Sequence, residues 1–115
     1  MKILWVDDNK MLTELGKALL ERLNIDEVDV ANSAEEAWQM IGRKKYNLLI
    51  TDLEMPGLSG YELIEMIRQK FNKLKIAAVS GWGEAQAVKT DFFLAKPFSG
   101  GDLKNLIDMA AAAHC

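Results

Sequence analysis

At 115 residues, half of them hydrophobic and 27% charged, the chain has the size and composition of one folded domain over residues 1–115, not of a disordered segment. A formal net charge of −3 builds no basic stripe, which argues against nucleic acid as a direct partner. The N-terminal apolar run is too short for a signal-peptide core, no stretch approaches the ~18 apolar residues of a membrane span, and the single cysteine, Cys115, can close no internal disulfide; together these fit a reducing, cytoplasmic setting with no membrane partner.

In chain order, Ile3-Leu4-Trp5-Val6 reads as a strand buried on both faces that ends at Asp7-Asp8. Residues 9–23 follow with Leu12, Leu15, Leu19 and Leu23 at helical spacing. A second strand is predicted over 27–31, where Val28 and Val30 alternate with acids. Ser33, with Glu36 three residues on, opens a second helix whose inner face is Ala37, Met40 and Ile41. Leu48-Leu49-Ile50 is a third buried strand running into Asp52, and residues 59–70 a third helix with Leu63, Ile64 and Ile67 inward. Residues 76–80 and 92–95 read as the fourth and fifth strands, ending at Ser80 and Lys96, and residues 102–113 as a closing helix on Leu103, Leu106 and Ile107. Strands alternating with helices imply an α/β fold with a parallel sheet covered on both faces. The exception is 83–90, whose eight residues are too few for a full helical crossover, which needs about a dozen; a fourth helix there is expected to be missing or cut to about one turn.

The unusual polar residues fall at corresponding places. Asp7 and Asp8 follow the first strand, Asp52 the third, Ser80 the fourth and Lys96 the fifth. Ligands of open α/β sheets bind beyond the carboxyl ends of the strands, so these residues meet in one crevice if the first strand lies beside the third. Carboxylates so gathered repel, by roughly 4 kcal/mol per pair at ~4 Å and an effective dielectric near 20, and a hard divalent cation relieves that cost. Mg²⁺ suits oxygen donors and keeps waters open to phosphate, and Lys96 adds a positive point charge; such a site can neutralise a phosphoryl group moving onto a carboxylate. Each residue has a plainer reading: Asp8 or Asn9 as a helix cap, Asp52 and Ser80-Gly81 as turn residues, Lys96 as a solvated charge.

The segments Ile3-Leu4-Trp5-Val6-Asp7-Asp8, Leu49 through Gly60 with its Thr51-Asp52-Leu53-Glu54-Met55-Pro56-Gly57, Val79-Ser80-Gly81 and Lys96-Pro97-Phe98, in this order, resemble the receiver domains of two-component response regulators. The resemblance covers nearly the whole chain and implies a flavodoxin-like doubly wound five-stranded parallel sheet in the order 2-1-3-4-5. It makes Asp52 the phosphoacceptor. Asp8 and Asp52 would ligate Mg²⁺ directly, Asp7 mainly through water, and Glu54 through its backbone carbonyl. Lys96 would contact the phosphoryl oxygens, Ser80 would hydrogen-bond one of them and report the phosphorylated state, and Lys96-Pro97 would be cis. Phe93 falls at the position of the switch aromatic, where without a hydroxyl it acts only by packing; the plainer reading is a core residue. Glu54 and Trp82 would flank the water path to the phosphoryl group, with Glu54 slowing hydrolysis or serving only as a solvated surface acid, and Met11 would be a kinase contact or an idle surface residue. The partners implied are a sensor histidine kinase or phosphotransfer protein and an unknown downstream protein. The short 83–90 segment departs from the pattern, since the family signals and dimerises through the fourth helix, fifth strand and fifth helix.

Two other functions compete. A haloacid-dehalogenase-type phosphatase shares the aspartate nucleophile and Mg²⁺, but needs a second aspartic acid where this chain has Glu54, and its cap insertion has no room. A flavodoxin-like nucleotide-binding module lacks its usual glycine-rich motifs here. The chain is therefore expected not to be a multiple-turnover enzyme but a receiver acting alone or taken from a longer protein. The lone His114 is read as a surface residue, not a phosphodonor.

Overall fold

The computed structural model describes residues 1–71, 73–81 and 90–113; Trp82, His114, Cys115 and all of the 83–90 segment but Thr90, and with it the expectation of a shortened fourth helix, lie outside them. Five strands, β1 (Lys2–Val6), β2 (Glu27–Ala31), β3 (Leu48–Asp52), β4 (Lys75–Ser80) and β5 (Phe92–Ala95), alternate with α1 (Lys10–Glu21), α2 (Ala34–Arg43) and α3 (Gly60–Lys70), and α4 (Gly100–Ala112) closes the chain. The strands form one parallel sheet in the order β2-β1-β3-β4-β5. This is the flavodoxin-like arrangement, and it sets β1 beside β3.

Successive side chains leave a strand on opposite faces, and the sequence uses both. Leu4, Val6, Leu49, Leu53, Ile76 and Ala78 pack with α2 and α3 on one face. Ile3, Trp5, Leu48, Ile50, Ala77 and Val79 pack with Leu20 of α1 and with Leu103, Leu106 and Ile107 of α4 on the other. Every residue of β3 is buried, and its first three, Leu48, Leu49 and Ile50, read as an unbroken apolar run for that reason. Each fully buried aliphatic side chain contributes about 1.5–3 kcal/mol. No helix among the described residues is long and apolar enough to cross a membrane.

Helix starts follow local chemistry. Asn9 caps α1 with its side-chain oxygen, settling which residue does so, and Ser33 caps α2. Ser59 and Ser99 each make a full capping box, with Glu62 and Asp102 respectively. The leucines of α1 differ from the sequence reading. The helix buries Thr13, Gly16 and Leu20, while Leu12 and Leu15 stand exposed. The cause is Trp5: its indole fills the space under the helix, and a Cβ on Gly16 would lie 2.8 Å from that ring. The helix thus presents its glycine to the sheet and its leucines to one side.

A charged tie joins α3 to the start of β5. Arg68 donates to Asp91 at 2.6 Å and to the Leu74 carbonyl at 2.9 Å, and the Ile76 N–H donates to Asp91 at 2.9 Å. Burial raises the Asp91 pKa, but the two hydrogen bonds it accepts, from Arg68 and Ile76, and the charges of Arg68 and Lys75 outweigh it and hold the carboxyl below its ordinary 3.8. A depressed folded-state pKa gives stability that is present above the unfolded value and lost as pH falls through the folded one. Asp91→Asn is expected to lose about 1–3 kcal/mol at pH 7 and to flatten the stability decline below about pH 4, measured by urea unfolding across pH.

Candidate functional site

The carboxyl ends of β1, β3, β4 and β5 bring the sequence-derived residues to one rim. One carboxylate oxygen from each of Asp7, Asp8 and Asp52 lies within 4.8 Å of the others. Asp7 and Asp52 are buried and Asp8 is exposed, so the cluster has a solvent-facing side. Lys96 reaches in from the end of β5, its Nζ 3.1 Å from Asp52 Oδ2 and 3.8 Å from Asp7 Oδ2. Ser80 is buried at the end of β4, where its carbonyl accepts the Lys96 N–H at 3.0 Å and ties the two strand ends together. The Lys96-Pro97 bond is cis.

Burial pushes the Asp7 carboxyl above its usual pKa, and the charges of Asp52 and Asp8 add to the rise; the Asn9 N–H, donating at 2.9 Å, and Lys96 oppose it. The folded chain therefore holds a proton on Asp7 more tightly than the unfolded one, and this carboxylate costs stability as pH rises through its raised value. Three hard oxygen donors with one exposed edge are a donor set that could bind a metal ion, and a divalent cation would offset the repulsion.

Glu54 sits two residues past Asp52 with its side chain exposed, and its N–H donates to Asp52 Oδ1 at 3.3 Å. Phe93 is 39% exposed on β5, so its reading as a plain core residue does not hold. Met11 is 78% exposed on the first turn of α1. Leu12, Leu15 and Leu19 line a cavity of about 390 Å³ with Trp5 and Phe98, and this cavity opens on Asp52 and Lys96.

Three supporting residues escaped the sequence reading. Asn32 donates from Nδ2 to the Asp7 carbonyl at 3.0 Å and to the Thr13 hydroxyl at 3.2 Å, fastening β1 to α1. Trp5 stacks at a tilt on Phe98, ring centroids 5.9 Å apart, bracing the turn that carries Lys96. Gly60 lies against the Asp52 backbone: a Cβ there would fall 2.1 Å from the Asp52 carbonyl oxygen. Trp5 and Gly60 stood inside segments that drew attention in the sequence, but spacing alone said nothing of their contacts.

Comparison with known proteins adds independent findings. A family model described as the response regulator receiver domain matches residues 3–108. The chain is 31% identical to the response regulator protein PilR of Pseudomonas aeruginosa, an alignment covering 95% of this chain and 26% of PilR. It is 32% identical to a chemotaxis protein CheY homolog of Campylobacter jejuni, covering 94% of this chain and 90% of that protein. Among the relatives it matches, the chain thus spans about a quarter of PilR and FleR, half of Rre1 and nearly all of the CheY homolog. Of solved structures, response regulator TrrA of Thermotoga maritima in complex with Mg²⁺-BeF superposes with a TM-score of 0.87 at 32% identity, over 95% of this chain and 97% of that one. The receiver domain of Francisella response regulator 1452 gives 0.90 at 25% identity, over 99% and 98%.

Proposed function

The chain belongs to the response regulator receiver domain family, and from that premise we propose that it takes a phosphoryl group onto Asp52 from a sensor histidine kinase or phosphotransfer protein in a Mg²⁺-dependent reaction. The observation that carries this reading is the meeting of Asp7, Asp8 and Asp52 within 4.8 Å, with Lys96 Nζ 3.1 Å from Asp52. Asp52 attacks phosphorus through a carboxylate oxygen. The bond from phosphorus to the donor breaks, and the donor leaves with that electron pair. Asp8 and Asp52, with the Glu54 carbonyl, would hold Mg²⁺, and Asp7 would act mainly through water. When bound, the cation offsets charge on the phosphoryl oxygens; the Mg²⁺-BeF carried by TrrA supports this. Lys96 would pair with those oxygens, and the Ser80 hydroxyl would hydrogen-bond one and so report the phosphorylated state. Phe93, half-exposed on β5, would follow by packing alone. The new contacts bias a two-state loop equilibrium that a downstream protein reads.

In this reading the chain works in the cytoplasm and turns over only its own aspartyl phosphate. The test is incubation with Mg²⁺ and acetyl phosphate followed by intact mass measurement. One phosphoryl adduct, mapped to Asp52 and absent in EDTA, is the expected result; an adduct elsewhere, or sustained hydrolysis of p-nitrophenyl phosphate, would sink the proposal. Glu54 is exposed beside the acceptor, where its negative charge repels or misplaces attacking water. Glu54→Ala is accordingly expected to lose its phosphoryl group several-fold faster (about 1 kcal/mol of barrier), followed as adduct decay after donor removal.

A further inference from the structure

The opposite rim of the sheet carries a second concave site. A cavity of about 700 Å³ opens where α2 runs into β3 and α3 runs into β4, with Asn47 and Leu74, just ahead of those strands, in its wall. The strands are parallel, so this rim is the one away from Asp52 and Ser80.

The lining divides into two kinds. Arg43, Lys45 and Lys73 bring positive charge, while Tyr46, Phe71 and Leu74 supply an apolar floor. A neighbouring recess of about 280 Å³ shares Gly42, Arg43 and Phe71 and adds Trp38, whose ring meets Phe71 edge-on with centroids 5.8 Å apart. Lys44 is spoken for by Glu27 and Asp29. Among the described residues, Arg43, Lys45 and Lys73 have no carboxylate partner. Arg43 lies in the last turn of α2, where the helix dipole favours a cation. That effect fades beyond the last turn, so it does not explain Lys45 and Lys73, which follow the helix ends. On a chain of net charge −3, uncompensated cations around one concavity are a local reversal of sign.

Gly42 lines both recesses, and a Cβ built on it would meet nothing within 4 Å. Glycine is unfavourable inside a helix relative to alanine. No neighbour requires glycine here, and its effect is to keep the space open.

We propose that this rim binds a nucleoside phosphate, its phosphates on Arg43, Lys45 and Lys73 and its base against Phe71 and Trp38. Arginine forks and lysine point charges recognise phosphate, a flat ring matches an aromatic wall, and the cavity volume suits a ligand of this size. The glycine-rich loops that cradle phosphate by backbone N–H groups are absent, and side-chain cations take that role. The site is independent of the phosphorylation reading and can fail without it.

The test is calorimetry of ATP and GTP in EDTA at 0.1 M salt, with adenosine and tripolyphosphate as separate arms, and as a second readout the tryptophan emission change that is lost in Trp38→Phe. The expected result is saturable one-to-one binding below about 1 mM that neither fragment reproduces. Lys45→Glu and Lys73→Glu should each weaken it about tenfold. Gly42→Leu, which fills open space, should remove it while the circular dichroism spectrum and phosphorylation by acetyl phosphate stay as in wild type. No saturable binding of either nucleotide, tripolyphosphate binding as tightly as ATP, or full affinity in Gly42→Leu would overturn the proposal.

Discussion

Asp52→Asn is expected to abolish the phosphoryl adduct while making the metal-free protein harder to melt. The amide keeps the shape of the side chain and an oxygen able to accept the Glu54 N–H, which donates to Asp52 Oδ1 at 3.3 Å, but it offers no anionic nucleophile. The stability gain follows from counting charges. Removing the Asp52 charge removes two repulsions, with Asp7 and Asp8, and one attraction, to Lys96. Lys96, 31% exposed, and the exposed Asp8 are both partly screened by water, whereas Asp7 is 5% exposed and is not, so the Asp7 repulsion decides the balance. The balance favours the variant by about 1 kcal/mol, or roughly 4 °C in Tm for a domain of this size. Magnesium should act the other way. At one hundred times its Kd it would stabilise the wild type by about 2.7 kcal/mol, and Asp52→Asn should lose most of that. Intact mass with acetyl phosphate, alongside thermal melts with and without Mg²⁺, gives all three readings. A retained adduct, or an equal magnesium shift in both proteins, would remove Asp52 from its assigned place.

The acidic residues of this rim were the most legible part of the sequence. Strands covered on both faces must be apolar throughout, so an aspartate at the end of such a run, as at Asp7 or Asp52, breaks the pattern and is noticed. The order of strands then decides which breaks meet; alternation of β and α gave only a parallel sheet covered on both faces, and the order came from the resemblance to receiver domains. Less could be read where one side chain's volume governs another element. Periodicity marked Leu12, Leu15 and Leu19 on α1, but Trp5 and Gly16 set the rotation of that helix and turn those leucines toward the cavity beside the site. The exposure of Phe93 was equally hidden, because a short apolar strand looks the same whether it lies at the centre or the edge of a sheet, and β5 is an edge.

Two matched glycines separate a steric requirement from a helix-start preference. Ser59-Gly60 opens α3 and Ser99-Gly100 opens α4, each with a complete capping box. From the sequence the two are equivalent. In the fold, a Cβ on Gly60 would lie 2.1 Å from the Asp52 carbonyl oxygen and 2.7 Å from Leu53 Cα, and the Gly60 N–H donates to the Leu53 carbonyl at 3.1 Å. These are backbone atoms of the strand end that carries Asp52, and they cannot yield as a flexible side chain would. A Cβ on Gly100 meets nothing within 4 Å. Gly60→Ala is therefore expected to cost about 3 kcal/mol, lowering Tm by roughly 10 °C, and to slow phosphorylation in the fraction still folded because the Asp52 main chain must shift. Gly100→Ala, which adds the same methyl group after the same cap, should be neutral or slightly stabilising, since alanine is the better helix former. Equal melting points for the two variants would mean that α3 is free to retreat from β3, and that the close approach at Gly60 does not hold Asp52 in place.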